Sequence, residues 1–212
     1  MDLYISPLSG SFTAHVAFLE AGLPVTLHRV DRKTKQLDDG RDFRTIAPQA
    51  IVPVLALPEG GVLTEIVAVL QYIADRVPEK TLAPAWGTME RYRVVEWLSF
   101  VATELHKKHL WPIFSSKTTP ELKAFSQAHV GFALEHVARH LAERSYLVGE
   151  RFTVADIYLM WALLVFPHGG VPLEAYPALR TYAARIQDRP AVKQALAIEF
   201  PMYQREQSAL AR

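Results

Sequence analysis

The feature that most constrains this chain is a change of hydrophobic rhythm between Val77 and Ala85. Before it, short apolar runs alternate with helical patterns. After it, every patterned stretch is helical. The segment from Val77-Pro78-Glu79 to Ala83-Pro84-Ala85 holds two prolines and no period, which is the composition of a linker. The pattern predicts a small mixed domain over residues 1–78, a linker over 79–86 and an all-helical domain over 87–212.

Within the first part, residues 2–6 read as a strand stopped by Pro7. A helix follows, with Ala14, Val16, Ala17, Leu19 and Ala21 on it, ended by Gly22-Leu23-Pro24. A strand over Val25–Val30 comes next, then a charged stretch from Asp31 to Arg44 with room for one helical turn. Residues 52–57 and 62–64 form a hairpin about Glu59-Gly60-Gly61. A helix over Glu65–Arg76 closes the domain. The predicted order is β-α-β-α-β-β-α. In the second part the helices fall at 87–113, 120–144, 153–166, 176–187 and 190–199.

Composition narrows the function classes. Of 212 residues none is cysteine, which excludes a disulfide framework, a thiolate metal site and a cysteine nucleophile belonging to the chain. Basic and acidic residues number 23 and 22, with no polybasic tract, so neither nucleic acid nor an anionic membrane is expected as a partner. The longest strongly apolar run, about Ile157 to Pro167, is well short of the ~20 residues that span a bilayer. No signal peptide is visible at the start. A cytoplasmic location is the expectation.

Four motifs carry chemistry. The first is Ile51-Val52-Pro53-Val54 ahead of the hairpin and Thr64-Glu65. A proline here marks either an edge strand or a cis Val52–Pro53 bond that leaves the Val52 backbone free for a peptide-like ligand. Glu65, at a helix start, either complements the dipole or takes a ligand ammonium while the helix amides hold a carboxylate. The second is Ser9-Gly10-Ser11 at the mouth of the first helix. It is an N-cap or a hydroxyl-and-amide site for a thiolate. The third, Thr103-Glu104-Leu105-His106-Lys107-Lys108, is a solvated helix face or an acid–base centre. In the fourth, Thr153 and Asp156 have capping-box spacing before the most apolar helix, a structural device.

Together and in this order these motifs resemble the glutathione transferase superfamily, and within it the bacterial beta class. Val52-Pro53 matches the family's cis-proline position, Leu63-Thr64-Glu65 its γ-glutamyl site, and Ala102-Thr103-Glu104-Leu105-His106-Lys107 a beta-class-like signature. The resemblance implies an α+β fold, thioredoxin-like and then all-α. It implies glutathione as co-substrate, no metal, and a homodimer. By position, Val52 would hold the cysteinyl backbone, Glu65 the ammonium, the Ile66 amide the γ-glutamyl carboxylate, and Lys35 the glycyl carboxylate. Ser11 or Ser9 would stabilise the thiolate, with His106 or Lys107 assisting. Ser99 and Thr103 would lie near the partner subunit's site. Trp111 and Phe114 would line a pocket for a hydrophobic electrophile.

Four departures stand beside the matches, one being Ile5 where beta-class members often carry tyrosine, with Tyr4 adjacent. Gly10 occupies the position where beta-class members carry cysteine, so thiol–disulfide exchange on the protein is ruled out. Ile66 replaces a small residue and adds bulk beside the γ-glutamyl site. Ile51, next to the glutathione-holding Val52, is more apolar than usual. The expected activity is conjugation of glutathione to a small hydrophobic electrophile. The alternative is a non-catalytic dimeric scaffold of the same fold, and a glutathione-dependent isomerase or lyase would use the same site.

Overall fold

The computed structural model describes residues 1–210. They form two compact units: Met1–Lys80 with the chain from Arg189 onward, and Thr81–Asp188.

The first unit is built on a sheet of four short strands, β1 (Asp2–Ile5), β2 (Thr26–Arg29), β3 (Val54–Ala56) and β4 (Val62–Thr64). Their spatial order is β2-β1-β3-β4. β1 runs parallel to β2, which requires a crossover, and α1 (Phe12–Ala21) supplies it. β3 and β4 are antiparallel to their neighbours. Strand alternation sorts the core into two layers. Tyr4 joins Val30, Leu37, Phe43, Ala47 and Val54 in one cluster. Leu3 and Ile5, also fully buried, face the other side. Helix α1 packs on α2 (Ile66–Asp75). It ends at Gly22, whose φ of 68° is the left-handed conformation that a glycine adopts without a Cβ clash.

Between β2 and β3 the helical element is no more than the single turn for which the charged stretch left room. The segment is a loop with a single 3-10 turn at Phe43–Thr45. Asp31 accepts from the amides of Lys33 and Thr34, and Asp42 from that of Arg44. Such side-chain bonds give the backbone an alternative to a helix ladder.

The last helix, α9 (Pro190–Leu210), runs past the expected stop at residue 199 despite Pro201. It also belongs with the first unit rather than with the helical one. Arg189 at its start forks onto Glu20 of α1 at 2.6 and 2.8 Å. Beyond the proline, Glu206 accepts from Arg29 of β2 at 2.9 Å. Tertiary anchors on both sides of Pro201 offset the hydrogen bond that it removes.

The second unit is helical: α3 (Met89–Phe100), α4 (Trp111–Phe114), α5 (Pro120–His129), α6 (Gly131–Leu141), α7 (Val154–Val165) and α8 (Pro177–Gln187). The expected helix over 120–144 breaks at Val130, beside a glycine. α7 is buried from Val154 to Leu163 and packs against α3 and α8. Its start is held by Asp156, which is fully buried. That carboxylate accepts from the Thr153 amide at 2.8 Å, the Leu147 amide at 2.9 Å and the Tyr182 hydroxyl at 2.7 Å.

Between α3 and α4 the chain is π-helical from Val101 to Leu110. The expected helix over 87–113 is continuous but changes pitch. Pro112 supplies a reason. It has no amide to donate and its ring would clash with the carbonyl four residues earlier, so the turn before it widens. The Trp111 amide accordingly reaches back five residues, to the His106 carbonyl. Among the described residues no helix is long and apolar enough to cross a membrane.

Candidate functional site

The strand register brings four chain segments to one end of the sheet. Ile5 pairs with Arg29, so the chain leaves β1 and β2 at the same end. Tyr4 pairs with Val54 and Val54 with Thr64. The start of β3 and the exit of β4 therefore lie at that end too. Ser6–Ser11, Val30–Lys35, Ile51–Pro53 and Glu65 are neighbours by topology, though far apart in sequence.

Ser6–Ser11 is a tightly bonded loop. The Ser11 hydroxyl donates to the Ser6 carbonyl at 3.1 Å and accepts from the Ser6 amide at 3.1 Å. Its remaining contact is the Ser9 hydroxyl at 2.9 Å. Because Ser11 has only one proton to give, Ser9 is the donor in that pair. Ser11 is fully buried, whereas Ser9 is half-buried. The sequence offers Ser11 first as a donor to a ligand, but its hydroxyl is already engaged inside the loop. Ser9 is the hydroxyl that can swing outward, at the loss of its bond to the Ser11 hydroxyl and of a longer one, 3.3 Å, accepted from the Ser11 amide. The Gly10 carbonyl accepts from Thr13, while the Gly10 amide has no partner among the described residues. That amide sits just before the positive end of α1.

From its inner side the loop is fixed by α9. Fully buried Glu199 accepts from the Leu8 amide at 2.7 Å and lies 2.8 Å from His15 Nδ1. Leu8 has a φ of 57°, a strained value for a branched residue. Sequence patterning missed this anchor, because its partners are 184 and 191 positions apart.

The Val52–Pro53 bond is cis, as the sequence reading allows. The ladder ends at the Tyr4–Val54 pair, which leaves the Val52 backbone outside it. Pro53 is buried, Val52 is half-buried and packs on the Phe43 cluster, and Ile51 is 57% exposed. Glu65 holds a φ of 67° immediately before α2. Its side chain is exposed and has no partner among the described residues. A non-glycine residue in this region is strained by about 1–3 kcal/mol, and such strain concentrates at ligand sites. Ile66 is only 8% exposed. Its bulk is withdrawn into the core, and the helix end presents its amide, one of the donors that no helix satisfies internally. Lys35 is half-buried, with a φ of 63°, in the loop after β2.

In the helical unit, His106 Nδ1 lies 2.7 Å from the Tyr158 hydroxyl, and its ring meets Trp161 edge-on at 4.7 Å. Burial, with a smaller push from the Lys107 ammonium, brings its pKa down to about 3. His106 is therefore neutral at physiological pH and contributes a hydrogen bond rather than a charge. Lys107 is exposed and pairs with no carboxylate among the described residues, whereas Lys108 pairs with Glu104 at 2.8 Å. Thr103 and Ser99 are exposed one turn apart, and the Thr103 hydroxyl donates to the Ser99 carbonyl at 3.0 Å. Trp111 and Phe114 are 47% and 50% exposed. Ile113 and Phe114 close on Gly169, where a Cβ would lie within 3.0 Å of both side chains. Tyr158 had no sequence signal beyond its place in the apolar helix. Among the described residues no three His, Asp or Glu side chains are grouped to hold a metal.

Comparison with known proteins accounts for both units. Residues 10–76 match the glutathione S-transferase N-terminal domain and residues 104–199 the C-terminal domain. The chain is 36% identical to glutathione S-transferase GstA of Escherichia coli O157:H7 over 203 residues, covering 94% of this chain and 98% of that protein. A sphingomonad glutathione S-transferase complexed with glutathione is 41% identical, with a TM-score of 0.90 over 94% of this chain and 98% of that one. The beta-class glutathione S-transferase of Sphingomonas chungbukensis is 40% identical, with a TM-score of 0.91 and the same coverages.

Proposed function

The chain belongs to the glutathione S-transferase family, and from that premise we propose that it binds glutathione at this sheet end and conjugates it to a small hydrophobic electrophile. The observation that carries the reading is the pairing of an exposed, partnerless carboxylate on a strained Glu65 backbone with the unsatisfied amides of α2. Opposite charges a few ångströms apart are what the γ-glutamyl group carries. Glu65 takes the ammonium and the Ile66 amide the carboxylate. The unladdered Val52 backbone, beside Ile51 and Pro53, holds the cysteinyl unit as a pseudo-strand. Lys35 takes the glycyl carboxylate.

The thiol then falls to the Ser9–Ser11 loop. The Gly10 amide, the Ser9 hydroxyl and the start of α1 favour the anion over the neutral thiol. The thiol proton leaves to solvent. The thiolate attacks an electrophilic carbon, forming a C–S bond as a leaving anion departs or a carbanion takes a proton. Trp111 and Phe114 offer apolar surface to the electrophile. His106, neutral and oriented by Tyr158, donates or accepts a hydrogen bond, and Lys107 supplies charge. A two-fold dimer gives exposed Ser99 and Thr103 a role at the subunit contact. A cytoplasmic detoxifying enzyme fits this reading.

Calorimetry with glutathione tests it. Binding in the micromolar to low-millimolar range, followed by turnover of an aromatic halide, is the expected result. An absence of heat at several millimolar glutathione would favour a non-catalytic scaffold instead.

A further inference from the structure

One charged residue at this sheet end has no role in the reading so far. Arg32, just past β2, donates from Nε to the Ser6 hydroxyl at 2.6 Å and from Nη2 to the Pro7 carbonyl at 2.9 Å. Ser6 and Pro7 are the base of the thiol loop. The Ser6 amide and carbonyl bond to Ser11, and the Ser6 carbonyl also accepts from the Ser9 amide at 3.1 Å. The loop is thus gripped from two sides, by Glu199 at Leu8 and by Arg32 at Ser6 and Pro7.

The two grips differ in charge balance. Glu199 is buried and faces His15. Arg32 is exposed, both of its acceptors are neutral, and it pairs with no carboxylate among the described residues. The Asp31 carboxylate next to it is turned onto the Lys33 and Thr34 amides. Lys33 and Lys35 add two more cations to the same loop. Neutral acceptors need only a donor, so the full charge of Arg32 is left to act on whatever anion forms at the loop.

Resting on the glutathione reading, we propose that Arg32 is a positioning residue for the thiol. It clamps the Ser6–Pro7 base in place and supplies an unpaired positive charge that favours the ionised sulfur. In a chain with Gly10 and no cysteine, this charge would join the Gly10 amide and the Ser9 hydroxyl in activating a sulfur that arrives with the ligand. A guanidinium suits the task, since it stays ionised at every relevant pH and its fork meets two acceptors at once.

The test is titration of enzyme-bound glutathione by ultraviolet thiolate absorbance, in the wild type and in Arg32→Gln and Arg32→Lys. Arg32→Gln should raise the apparent thiol pKa by about half to one unit. It should leave the dissociation constant within about twofold at a pH where the thiol is protonated. Arg32→Lys, which keeps the charge, should recover most of the shift. An unchanged thiol pKa in Arg32→Gln overturns the proposal. So do equal rises in both variants, which assign the effect to loop geometry alone. A tenfold loss of affinity with an unmoved pKa overturns it as well, and makes Arg32 a carboxylate ligand. Should Arg32→Gln fail to fold, the wild-type titration is repeated at rising salt, and a salt-insensitive thiol pKa overturns the role of charge. Failure of the parent reading looks different: the wild type itself then binds no glutathione.

Discussion

Two serines at the mouth of α1 divide their work by burial. Ser11 is enclosed, and its hydroxyl joins the two ends of the loop. Ser9 shares the network but reaches solvent. Ser11→Ala should therefore cost about 1–3 kcal/mol of stability, by leaving the Ser6 amide without a partner and taking one of the two donors from the Ser6 carbonyl. Chemical denaturation measures this. Ser9→Ala should raise the apparent pKa of the pH–rate profile instead, and an unmoved profile would leave the thiolate to the backbone amides and the charge of Arg32. Glu65 presents the clearer case. Its exposed carboxylate has no internal task, so Glu65→Ala should leave stability nearly unchanged and weaken glutathione about tenfold or more. Equal affinity by calorimetry would remove Glu65 from the site. Ser9, Ser11, Val52 and Glu65 were legible in the sequence because each sits at a turn or a helix start, whereas Lys35 came only from the family resemblance. Arg32 was not legible, because an arginine in a charged loop has no pattern of its own. Its meaning comes from Ser6 and Pro7, 26 and 25 positions away.

At the scale of the element, local signals were reliable where the chain obeys them and silent where packing intervenes. The Thr153–Asp156 spacing marked the start of α7, and the carboxylate does accept from the Thr153 amide. It also accepts from Leu147 and Tyr182, partners that no N-cap rule names. Asp156→Ala would strand these buried donors, so it should destabilise the protein by roughly 3–5 kcal/mol. Asp156→Asn, which keeps one acceptor oxygen, should cost less. Thermal unfolding of both variants decides, and equal losses would show that the charge rather than the acceptor matters. The π-helical stretch makes the same point from the other direction. Pro112 lay in plain view inside a predicted helix, yet pattern alone could not say whether it would end, kink or widen it. Widening leaves His106 bonded to Tyr158 and Trp111 half-exposed.

The whole molecule adds a pH dependence that no single element shows. Burial lowers the pKa of His106 to about 3, and also lowers those of His109 and His140. An unfolded histidine titrates near 6.5. Below that pH the unfolded chain binds more protons than the folded one, so stability falls with acid. The contribution is fully present above about pH 6.5 and is lost progressively as pH falls from there towards 3. The melting temperature should be level from neutrality upward and decline below pH 6. A flat profile down to pH 5 would contradict the buried, neutral state of these rings.

By itself the sequence determined the division into a mixed and a helical part, the strands of the sheet, and the turns and helix starts at which Ser9, Val52 and Glu65 lie. These depend on local sterics, hydrophobic period and capping, which act within a few residues. Only the tertiary structure decided that α9 returns to the first unit, that Ser9 is less buried than Ser11, that Ile66 turns inward, and that Arg32 and Glu199 grip the Ser6–Ser11 loop. Each of these follows from burial and from hydrogen bonds between distant positions. Such bonds form only after the chain has folded back on itself, and no local period records them.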